Sequence, residues 1–77
     1  MKEVFATRFS ELLKETDKNY EDIAHELGFK SKGSISKYAN AKNKDVPISV
    51  VFKVADIFGV SPVWLIGLTN DRHYIVM

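Results

Sequence analysis

The chain has 77 residues, no cysteine, 45% hydrophobic and 27% charged residues, and a formal net charge of +1. That length holds one small core, that apolar content excludes wholesale disorder, and the lack of cysteine excludes disulfides and thiolate metal sites. No apolar run approaches the roughly 20 residues of a membrane helix, and the start "MKEVFATRFSELL" is too charged for a secretory signal, so a soluble cytoplasmic protein is expected.

Residues 4–13 place Val4, Phe5, Phe9, Leu12 and Leu13 at helical spacing, with Arg8, Glu11 and Lys14 between them. This predicts an amphipathic first helix. The polar run "KETDKN" ends it. Asn19 is a good N-cap for a second helix over 20–27 that buries Ile23, Ala24 and Leu27, and Gly28 follows at a natural stop. "GFKSK" is a turn, in which Ser31 is expected to cap a third helix starting near Lys32, with Ile35, Tyr38 and Ala39 as its apolar stripe. "NAKNKDVP" is a polar link. A fourth helix, about 48–58, offers Ile48, Val51, Phe52, Val54, Ala55 and Phe58 as a broad buried face. Its β-branched residues make a strand a competitor, but length and spacing favour helix. Gly59 ends it. Ser61 caps a short fifth helix that has Pro62 at its first position, Trp64, Leu65 and Ile66 inward, and Gly67 as its stop. The expected fold class is therefore all-α, with five helices forming one domain over residues 1–68 and a tail over 69–77.

The net charge hides a pattern. Residues 1–27 carry four basic and seven acidic side chains, residues 28–44 carry five lysines and no acid, and residues 45–77 carry two basic and three acidic side chains. The middle segment is thus +5 in a chain of net +1, and a polyanion feels the local patch more than the total. Taken alone, such a run is ordinarily a solvated loop. Here it coincides with two short helices joined by a tight turn containing glycine, a helix-turn-helix arrangement.

Three segments, "NYEDIAHELGF", "GSISKYANAK" and "PISVVFKVADIFGVSPVWLIG", resemble the lambda-repressor/Cro-like helix-turn-helix domains of temperate phages and bacterial regulators. The resemblance spans about residues 5–68, and the wording of "SISKYANA" and "GVSPVWLIG" is similar to phage repressors of Gram-positive hosts. It implies that the second helix braces against the DNA backbone while the third enters the major groove. Carried over position by position, Lys32, Gly33, Ser34 and Lys37 fall at base-contacting sites, and Tyr20, Asn40, Lys42 and Lys44 fall at phosphate-contacting sites. Independently, an inward Ile35 and Tyr38 turn positions 33, 34 and 37 outward. Lysine can donate to guanine O6 and N7, serine to several bases, and lysines on the rim release counterions. The chain also departs from the family pattern. The turn after the second helix is one residue longer than usual, Tyr20 stands where the family often has a phosphate-anchoring glutamine, and Gly33 brings no side chain to a position that often reads bases.

No nucleophile–base set, glycine-rich phosphate loop or metal-spaced histidine cluster is present, so neither an enzyme nor a cofactor is expected; His25 and His73 read as solvated. The tail "HYIVM" is apolar where chain ends are usually polar, so it either folds back onto the domain or pairs with another chain. Family dimers often form through the fifth helix and the segment after it, which makes Val63, Trp64, Tyr74, Ile75 and Val76 candidate interface residues of a homodimer. Two functions stay open. One is a repressor or Cro-type regulator that binds double-stranded DNA in a phage switch. The other is a modulator or antirepressor with the same fold that binds a partner phage repressor protein, with or without DNA.

Overall fold

The computed structural model describes residues 2–41 and 45–75. Within them lie five helices: α1 (Lys2–Glu15), α2 (Tyr20–Leu27), α3 (Gly33–Ala39), α4 (Ile48–Phe58) and α5 (Pro62–Leu65). The β-branched run 48–58 is helix, not strand. Among the described residues no helix is long and apolar enough to cross a membrane.

Local chemistry sets most of the boundaries. Asn19 has extended backbone, and its side-chain oxygen accepts the Asp22 N–H at 2.8 Å, which starts α2. Gly28 ends α2 in the left-handed region at φ +78°, and the Phe29 N–H reaches back to the Ala24 carbonyl at 2.8 Å. Gly59 does the same for α4, and the Ser61 hydroxyl caps α5 by accepting the Val63 N–H. The start of α3 departs from expectation. Ser31 makes no side-chain cap; Lys32 occupies the cap position in helical conformation, and α3 is entered through backbone bonds from Ser34 N–H to the Ser31 carbonyl and from Ile35 N–H to the Lys32 carbonyl.

One core joins all five helices. Phe5, Phe9, Ile23, Leu27, Ile35, Val51, Val54 and Leu65 are its large fully buried side chains, each contributing roughly 1.5–3 kcal/mol of transfer free energy. The broad buried face expected of α4 is narrower than its composition suggests. Val50, Val51, Val54 and Ala55 are buried, whereas Ile48 and Phe52 are 57% and 56% exposed. The reason is phase: at 100° per residue, Phe52 lies some 160° around the helix from both Val50 and Val54. Val46 and Val60, which flank α4, enter the core as well.

The C-terminal segment is stitched to α1. The Arg8 guanidinium donates to the Trp64 and Thr69 carbonyls and to Asn70 Oδ1. Arg72 makes a two-pronged pair with Glu15, at 2.7 and 2.9 Å, and its carbonyl accepts the Ser61 N–H at 2.7 Å. Residues 69–72, expected to begin a tail, are thus bound to the domain. Exposed apolar side chains resume at Tyr74 and Ile75.

Candidate nucleic-acid interface

The third helix is held from behind. Ile35 is fully buried, the Ser10 hydroxyl on α1 donates to the Ala39 carbonyl at 2.9 Å, and Tyr38 meets Phe5 edge-on and stacks on Phe29 at 5.4 Å. Tyr38 is therefore a half-buried packing residue. With this face fixed, the opposite face is presented to solvent: Lys32, Gly33, Ser36 and Lys37 are exposed and Ser34 is half-buried. A helix is about 10–12 Å across with its side chains, which fits the roughly 12 Å width of the major groove of B-DNA.

The remaining expected contacts fall around this rod. Tyr20, the first residue of α2, is 42% exposed, and Asn40, which closes α3 through its N–H to the Ser36 carbonyl, is exposed. Lys42 and Lys44 lie outside the described residues. The four proposed base-reading positions are thus brought together on one helix and its cap, with Tyr20 at the start of α2 and Asn40 at the end of α3.

Two charged neighbours in this region had no role in the sequence reading. Lys30 is exposed in the turn. Glu21, in the first turn of α2, lies 3.8 Å from the Lys32 ammonium through its Oε1. The pair is a wall shared by two shallow clefts. One, of about 300 Å³, is lined by Asn19, Tyr20, Glu21 and Lys32; the other, of about 410 Å³, runs along the turn past His25, Phe29 and Lys30. No spacing rule points to this pair, because it forms across the turn and not along a helix.

The expected interface residues divide. Trp64 is corrected: it is 5% exposed, with its ring between the Arg8 and Arg72 guanidinium groups at 4.9 and 4.8 Å. Two cations on an electron-rich indole, one of them also bound to the Trp64 carbonyl, fix the ring inside the domain. Val63 is half-buried, Tyr74 and Ile75 are 49% and 75% exposed, and Val76 lies outside the described residues. Ile48 and Phe52, expected in the buried face of α4, are instead exposed apolar residues one helical turn apart, with Pro62 beside Phe52 in the same cleft. For Phe52 the available signal was its displacement from the Val51–Val54 side of α4; Ile48 keeps the phase of Ala55 and is exposed as the first residue of the helix.

Comparison with known proteins agrees with this geometry. Residues 10–65 match the family model described as helix-turn-helix. No curated protein and no solved structure matches the chain.

Proposed function

We propose, for a chain that belongs to the helix-turn-helix family of the lambda-repressor/Cro type, a sequence-specific transcriptional regulator that inserts α3 into the major groove of double-stranded DNA. Lys32, Ser34 and Lys37 contact base edges, Gly33 lets the backbone come close, and Tyr20, Asn40, Lys42 and Lys44 hold phosphates. The observation that carries this reading is the outward row of α3, cationic and polar, backed by the fully buried Ile35. Burial of one side of α3 leaves its other side no role in the core, and lysines there suit a polyanion. The protein acts as a homodimer in a bacterial cytoplasm, where two-fold symmetry presents α3 to successive major grooves. The exposed apolar pair Ile48 and Phe52, together with Val63, supports a face for the second copy. The biological setting we propose is the repression switch of a temperate phage, for which the "SISKYANA" and "GVSPVWLIG" segments argue.

Selection from a random duplex pool at low salt tests this reading. The wild-type chain is expected to enrich a palindromic site, and the Lys32→Ala/Lys37→Ala double variant is expected to lose it. Failure of the wild type to enrich any site would sink the regulator reading. Binding would then be sought to a partner repressor protein, with the same lysines meeting an acidic face.

A further inference from the structure

The exposed cations of the interface are not equivalent. Lys32 has a carboxylate partner, Glu21, at 3.8 Å, and both side chains are largely in solvent. Among the described residues, neither Lys30 nor Lys37 forms such a pair, and the other ion pairs join Lys18 to Glu26 and Arg72 to Glu11 and Glu15. An exposed pair of this kind adds little to folding, and salt screens it. Nor does the start of α2 need Glu21. Asn19 already caps it, and Asp22 also places negative charge in its first turn. What the pair does change is the field met by an approaching polyanion.

We propose that Glu21 determines how strongly this domain discriminates between sequences, by holding Lys32 away from the phosphate backbone. The inference rests on the DNA-binding reading above and deepens it. On DNA of arbitrary sequence, binding comes from lysines that neutralise phosphates and release counterions. Glu21 withdraws one of those lysines from that pool and adds a repelling anion at the start of the bracing helix. On the correct sequence the loss is smaller. An ammonium has three donors, so Lys32 can keep Glu21 and still donate to a guanine O6 or N7. Glu21 is a positioning residue acting through Lys32, and it weakens non-specific binding more than specific binding.

The experiment measures affinity across about 0.05–0.3 M salt for the wild type, Glu21→Gln, Lys32→Ala and the double variant. The probes are a mixed-sequence duplex and the duplex recovered by selection, with thermal melting as a check that all four fold. Freeing one phosphate contact steepens the log–log salt dependence on mixed-sequence duplex by about 0.9, a gain of about eightfold at 0.1 M salt. The expected result is that gain for Glu21→Gln, a several-fold smaller gain on the selected duplex, and no gain once Lys32 is Ala. An unchanged salt slope, an equal gain on both duplexes, or a gain that survives Lys32→Ala would each overturn the proposal. If the wild type binds neither duplex, the DNA-binding reading itself has failed, and this inference falls with it.

Discussion

Gly67 stands at φ +87°, and a β-carbon placed there would lie 2.9 Å from Val4 Cγ1. A side chain is penalised twice, by the left-handed backbone and by collision with α1. Gly67→Ala is expected to cost about 2–3 kcal/mol, read as a lower urea midpoint at unchanged slope. Another single-residue effect depends on pH. The hydrogen bonds from Arg72 hold the Glu15 carboxyl below its ordinary value of 4.5, and the same contact raises Arg72. Because the folded-state value of Glu15 is depressed, its contribution is fully present above that ordinary value and is lost as pH falls through the lowered one. Glu15 lies at the surface, where solvent screens the pair, so the effect is small. The expectation is that Glu15→Gln flattens the acid limb of a melting-temperature profile below about pH 4.5 while leaving the neutral region little changed.

At the scale of elements, the outer face of α4 and the inner face of α3 are separable in function. Phe52 is 56% exposed, so Phe52→Ser is expected to change stability by no more than about 0.5 kcal/mol. If the homodimer forms through that face, the same change yields a monomer in sedimentation and weakens DNA binding without touching α3. These elements also show what a sequence discloses. The second helix was legible to the residue, since Asn19 and Gly28 act on backbone groups within a few positions of themselves. The fifth was legible through Ser61 and Pro62 for the same reason. The start of α3 was misplaced because Ser31 has the right chemistry for a cap but the turn uses its carbonyl instead. Phe52 was misread because composition reports how apolar α4 is, while burial depends on the direction from which α1, α2 and α5 approach it. The candidate site divides along the same line. The outward row of α3 followed from the inward positions of Ile35 and Tyr38. The Glu21–Lys32 pair and the two guanidiniums on Trp64 join residues across turns and between elements, and no helix-spacing rule registers them.

The longest extent of the domain is 33 Å, comparable with the roughly 34 Å between half-sites one helical turn apart. The dimer reading therefore predicts that a selected site has half-site centres about 10 base pairs apart, and that inserting half a turn of DNA between them abolishes tight binding. The clasp of Arg8 on Trp64 and Thr69 carries a different consequence, one of time. Arg8 and its partners are separated by 56 and 61 positions. A ribosome adds about 5–20 residues per second, so Arg8 is added some 3–12 s before the carbonyls that fix it exist. During that interval α1 lacks the contacts that α5 later provides, while the residues of α2, the turn and α3 are all added to the chain. The helix-turn-helix segment is thus complete in the chain before the clasp that closes the domain can form.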